Sequence, residues 1–239
     1  MTRPKHLEDA ELLDPIHMKK AKEIFESLFG LLPPDVTVYI HKKKLYLQLG
    51  STWIPKDITQ KEPPVIQLHP KLLKEKKASQ SRKGLNPIQR LKSLFQPHYT
   101  LEEVLTHEWV HCLRAGIFPK CNQLAFEEIL AYQTSPRPFR KYLGPLLSRP
   151  SDTWILACSL LLFWIDALEL SFFDQGILAI IGLGGFVYLS IKLLVCHCLF
   201  KRAQGKLKAI PCPLGELIKM SDKEIAKATS TRLKDLSLS

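Results

Sequence analysis

Two long apolar runs set the tightest limit on what this chain can fold into. "WILACSLLLFWIDALELSFF" covers 154–173 and "GILAIIGLGGFVYLSIKLLVCHCLF" covers 176–200. As helices, each is long enough to cross about 30 Å of hydrocarbon. The alternative for so much apolar sequence is a helical pair buried in a soluble domain. Three charges interrupt the runs: Asp166, Glu169 and Lys192. A central acid or lysine costs about 2.5–3.5 kcal/mol on the insertion scale. Counted along the helices, Asp166 falls roughly 11 Å below the loop-side surface and Lys192 roughly 12 Å from the opposite one. Pairing between the two is expected, since a long lysine spans the difference. Gly182, Gly184 and Gly185 allow close helix approach. The runs therefore predict a transmembrane hairpin over 151–202, turning at Asp174-Gln175-Gly176.

Flanking charge orients it. Arg137, Arg140, Lys141 and Arg149 precede the hairpin, and Lys201, Arg202, Lys206 and Lys208 follow it. The connecting loop carries Asp174. Both ends are expected on the cytoplasmic face, as in a multi-pass protein of a bacterial cytoplasmic membrane. The opening "MTRPKHLEDAELLDP" has no apolar core, so no signal peptide is expected. The formal charge of +11 over 239 residues asks for an acidic partner, nucleic acid or an anionic membrane face. Residues 71–92 concentrate it, with eight basic residues against Glu75. No aromatic platform is interleaved with them, so lipid headgroups or plain solvation are favoured and no nucleic acid is expected. The six cysteines form no CxxC pair and read as reduced thiols.

The polar half, 1–150, mixes strands and helices. Residues 6–30 read as a helix stopped by Gly30 and Pro33-Pro34. "VTVYIHKKKLYLQLG" (36–50) is strand material with a turn at Lys42–Lys44, and "VIQLHP" (65–70) is a short strand ended by proline. A helix follows over about 101–115. Thr100 is its N-cap, Glu103 the capping-box partner and Gly116 the C′ residue. "CNQLAFEEILAYQTS" (121–135) is the next helix. The tail, 203–239, holds one more, starting at Ser221 with Glu224 as its capping partner.

The chemistry lies in "LTHEWVHCLRAG", residues 105–116. On a helix, His107 and His111 stand one turn apart on one face and can share a metal ion. Glu108 lies beside that face, placed to move a proton between an attacking water and a leaving amine. A catalytic zinc needs a third protein ligand and an open position. Glu127 and Glu128 on the following helix are candidates, with Cys121 and Glu216 as weaker ones. Tyr132 is a candidate oxyanion donor, though a surface-anchored aromatic is the plainer reading. Trp109 and Val110 read as core, and His69 and His98 as turn residues.

"HEWVH…EEILAY" resembles the gluzincin metallopeptidases, in which two histidines and a downstream glutamate bind zinc. The Glu-x-x-Ala frame of gluzincin aminopeptidases fits Glu128-Ile129-Leu130-Ala131, so the resemblance implies Glu128 as the third ligand. The metzincin extension is absent, because Arg114 and Ile117 occupy its Gly and His places. "VIQLHPKLL" before the motif helix is similar to small zincins, which implies an edge strand that holds an extended substrate. The expected fold is α+β: a small zincin-like domain plus a two-helix transmembrane hairpin. The expected function is a membrane-anchored, zinc-dependent peptidase acting on a polypeptide. A non-catalytic zincin-fold adaptor is the alternative, and a soluble basic nucleic-acid-binding protein the third reading.

Overall fold

Asp14 and Pro15 set the first boundary in a computed structural model, which describes residues 10–41, 50–53, 64–73, 99–117, 126–147, 149–168 and 176–228. The Asp14 carboxylate accepts the Ile16 N–H at 2.9 Å, and Pro15 takes a position where a helix needs no N–H. Helix α1 is therefore Pro15–Phe29, closed by Gly30 at φ 62°. The helix expected from residue 6 starts later, because Ala10–Leu12 is strand β1, paired antiparallel with β2 (Thr37–His41). Strands β3 (Gly50–Trp53) and β4 (Val65–Leu68) complete a four-stranded sheet of order β1-β2-β4-β3. The helices that follow are α2 (Leu101–Ile117), α3 (Phe126–Tyr132), α4 (Pro138–Leu143), α5 (Pro150–Ala167), α6 (Ile177–Lys206), α7 (Pro213–Lys219) and α8 (Asp222–Ala228). A 3-10 turn, Gly144–Leu147, follows α4. The architecture is α+β and mostly helical.

β4 is not the expected edge. It pairs with β2 in parallel and with β3 antiparallel. Ile66, Gln67 and Leu68 are all buried, the pattern of a strand covered on both faces. β3 is the outer strand on that side of the described sheet. The Lys42–Lys44 turn and residues 74–92 of the basic segment lie outside the described residues.

The chain divides into two compact units, Met1–Cys121 with Leu214–Lys219, and Asn122–Pro213 with Met220–Ser239. In the first, α1 packs on α2 and α2 on β3. Phe25 meets Trp109 edge-on at 5.8 Å, and Trp109 and Val110 are core, as expected. Thr100 caps α2 by accepting the Glu103 N–H at 3.1 Å. Gly116 does not stop that helix, which runs through it to Ile117. The stretch 214–219 docks on the same unit. A Cβ at Gly215 would collide with the Phe29 carbonyl, and buried Arg114 donates to the Ile218 carbonyl at 3.4 Å.

In the second unit α5 and α6 pack antiparallel. Gly182 lies against the Ser159 carbonyl and Phe163, and Gly185 against the Ser159 hydroxyl. This register corrects the expected ion pair. Lys192 falls level with Asp152, its Nζ 2.6 Å from both carboxylate oxygens. Asp166 instead accepts the Gly176 N–H at 3.1 Å. Asp166 is some four turns from Asp152, about 21 Å along α5, beyond a lysine's reach from that level. α6 is long and apolar enough to cross a membrane. It alone meets that standard among the described residues. The described α5 starts at Pro150 and takes in Ser151 and Asp152, while 169–173 lie outside the description. α8 packs on α6 behind the expected capping box: Ser221 N–H donates to Glu224 at 2.6 Å, and Glu224 N–H to Ser221 Oγ at 3.3 Å. Hydrogen bonds from the Ser221 side chain and backbone N–H hold the Glu224 carboxyl below its usual range.

Asp152 is 2% exposed and Lys192 20%, so truncating the lysine strands a buried acid. Lys192→Met should destabilise the purified protein, by less than the about 3–5 kcal/mol of a fully buried pair because the lysine tip is partly wet. Adding Asp152→Asn should recover much of the loss. Thermal unfolding in detergent checks this. A double variant no better than Lys192→Met would show that the pair is not the cause.

Candidate metal centre

One turn of α2 separates His107 from His111, and burial of Leu105, Trp109 and Cys112 turns the imidazoles away from the core. The two Nε2 atoms stand 3.2 Å apart, with ring centroids at 4.9 Å and an interplanar angle of 68°. Two nitrogens bound tetrahedrally at about 2.0–2.1 Å from one ion stand roughly 3.3 Å apart. The observed separation fits that edge.

α3 buries Phe126, Ile129, Leu130 and Ala131, which leaves Glu127 and Glu128 on its other side. The ligating atoms of His107, His111 and Glu128 all lie within 4.8 Å of one another, and all three residues are half-buried. This group can hold a metal ion, and it is the one such group among the described residues. Glu127 is not in it. Neither is Glu216, which pairs with Lys219 at 2.9 Å. Cys121 and His98 lie outside the described residues. His69 is a turn residue, as expected: its Nδ1 accepts the Lys71 N–H at 3.0 Å. The Tyr132 ring lies against Gly144, where a Cβ would meet it.

Glu108 faces β3. The Thr52 hydroxyl donates to Glu108 Oε2 at 2.6 Å and also lies 3.4 Å from the Glu108 carbonyl. A Cβ at Gly50 would come within 2.9 Å of Glu108 Oε1 and 2.7 Å of Val104 Cγ1, so the strand approaches closely because residue 50 is glycine. Burial pushes the Glu108 carboxyl above the usual range, and the nearby His111 and the Thr52 hydrogen bond pull it partly back. Thr52 and Gly50 are the residues that motif reading missed. "GSTW" carries no chemical signature, and only strand pairing brings it to α2.

Searches against protein-family models, curated proteins and solved structures find no match.

Cys112 follows the second histidine but points into the core, 2% exposed. Burial pushes its thiol up to about 12, a direction that the nearby Glu108 reinforces and the Thr52 hydrogen bond opposes. The thiolate, the form that reacts, is scarce near neutral pH. Cys112 should therefore resist iodoacetamide in the folded protein and alkylate on denaturation, as read by peptide mass spectrometry. Rapid labelling of the native chain at Cys112 would contradict that burial.

Proposed function

We propose that the chain is a membrane-anchored zinc-dependent peptidase with a zincin-like catalytic domain. The observation that carries the reading is the facing His107–His111 pair, with Glu128 in the same group and a buried acid, Glu108, beside it. Two imidazoles and a carboxylate form a borderline donor set that suits zinc. Zinc held there supplies a water acidic near neutral pH and polarises a carbonyl. His107, His111 and Glu128 would hold the ion.

Glu108 is the proton carrier. Thr52 engages Oε2 and fixes the carboxylate's rotation. The other oxygen accepts a proton from the attacking water and returns it to the leaving amine nitrogen. Burial raises the carboxyl's proton affinity, which suits a group that must take a proton and give it back. β3, packed on α2, is the strand suited to bind an extended polypeptide by main-chain pairing.

Anchoring is read from the apolar pair. α6 is of spanning length, and α5 packs along it with Trp154, Leu161 and Trp164 exposed. In this reading both helices cross as a hairpin. The basic residues before α5 and at the end of α6 keep both ends on the cytoplasmic side.

Purified protein should carry about one zinc per chain. His111→Ala should lose it and Glu108→Gln should keep it, by metal analysis. Glu128→Ala should weaken binding more than Glu127→Ala, and the reverse order would move the third ligand to Glu127. Equal zinc in wild type and His111→Ala removes the site.

Glu108→Gln keeps shape and hydrogen bonding but cannot accept the proton. It should cleave an unstructured test protein such as casein about a hundredfold more slowly, or worse, than wild type. A chelator should abolish wild-type cleavage and zinc should restore it. Zinc binding without Glu108-dependent cleavage would replace the peptidase with a non-catalytic adaptor.

A further inference from the structure

Resting on the membrane-anchored reading, we propose that residues 137–147, α4 with the turn after it, form a third membrane contact lying in the headgroup layer of an anionic leaflet. The first observation is an inversion. Phe139 is 73% exposed while its neighbour Arg140 is 8% exposed. A helix on a water-facing surface does the reverse. Tyr142, Leu143 and Leu147 are also exposed, so four large apolar side chains crowd nine residues of sequence.

The second observation is level. The Tyr142 carbonyl accepts from His197 Nε2 at 2.8 Å, and Lys201 Nζ lies 3.3 Å from the Tyr142 hydroxyl and 4.9 Å from its ring centre. Counted from Ile177 at the start of α6, His197 is about 30 Å along the helix, one hydrocarbon thickness. α4 is thereby pinned to the end of the spanning stretch, at headgroup depth. Tyrosine is a residue that favours this depth.

The third is charge. Arg137, Lys141 and Arg149 flank the apolar patch in sequence, Lys201 of α6 lies against Tyr142, and no Asp or Glu occurs between Glu128 and Asp152. An apolar face flanked by cations matches anionic lipid, with apolar rings below the phosphates and cations among them. α3, which carries Glu128, packs on α4, on the turn and on α6. The contact would hold that helix next to the headgroups, so the polypeptide presented to Glu128 would be a segment close to the bilayer surface.

The test uses full-length protein in vesicles of phosphatidylcholine and phosphatidylglycerol. Phe139→Trp, one exposed aromatic for another, is made alongside Tyr188→Trp near the middle of α6. Both carry Trp154→Phe and Trp164→Phe. Lipids brominated near the carbonyl end of their chains should quench the residue-139 tryptophan about twofold more than lipids brominated near the methyl end, since an interfacial segment sits shallow. The order should reverse at residue 188. Omitting phosphatidylglycerol should cut the residue-139 signal about twofold. Quenching at 188 without quenching at 139 overturns this contact and leaves the anchor standing. No quenching at either overturns both. An equal signal at 139 in phosphatidylcholine alone overturns the anionic assignment. Shielding of 139 from acrylamide without lipid quenching would mean that protein covers the patch, and that also overturns it.

Discussion

The packing of α2 between α1 and β3 is the constraint on which the candidate site depends. A helix that meets neighbours on two sides has few positions left to spare. Leu105, Trp109, Val110 and Cys112 fill the core, and Glu108 is pressed against β3. His107 and His111 take the turn that remains, which is why two imidazoles face one another across 3.2 Å. The same packing buries an acid. Glu108 could not occupy its place without the gap left at Gly50 and the hydroxyl supplied by Thr52. The helix that packs the core also carries the candidate site, so a change in that packing would be felt at the site.

Two buried acids show two solutions to one problem. Asp152 is met by the Lys192 ammonium and the Arg149 N–H, so its charge is matched by a full opposite charge. Glu108 has one hydroxyl and a nearby imidazole, a weaker compensation for comparable burial. The first arrangement locks the register of α5 on α6. The second leaves a carboxyl whose proton affinity is raised, which is the condition a proton carrier needs.

The apolar pair follows a similar logic of level and register. Small residues at Gly182 and Gly185 let α6 approach Ser159, and that contact fixes every other pairing along the helices. Once it is set, Lys192 must meet Asp152 and Asp166 must fall beside Gly176. A depth estimate treats each run separately, whereas in the structure Asp166 lies in the last turn of α5, beside Gly176. Such an estimate cannot tell which residues stand opposite one another.

The sequence by itself determined what depends on local spacing. The His-x-x-x-His face, the Thr100 and Ser221 caps, the Gly30 stop and the spanning length of α6 follow from helix periodicity and backbone chemistry, which act over a few residues. For the third ligand it favoured adjacent glutamates over Cys121 and Glu216, and the resemblance in frame pointed to Glu128, the one that lies with the two histidines in the structure. Tertiary structure alone decided the rest. Which strand is central, that Thr52 reaches Glu108 across 56 positions, that Lys192 pairs with Asp152 and that Gly215 docks under Phe29 are contacts between distant segments. No local preference encodes them, because each is chosen by the register of two elements packed together, and shifting that register by one residue would give different partners from the same sequence.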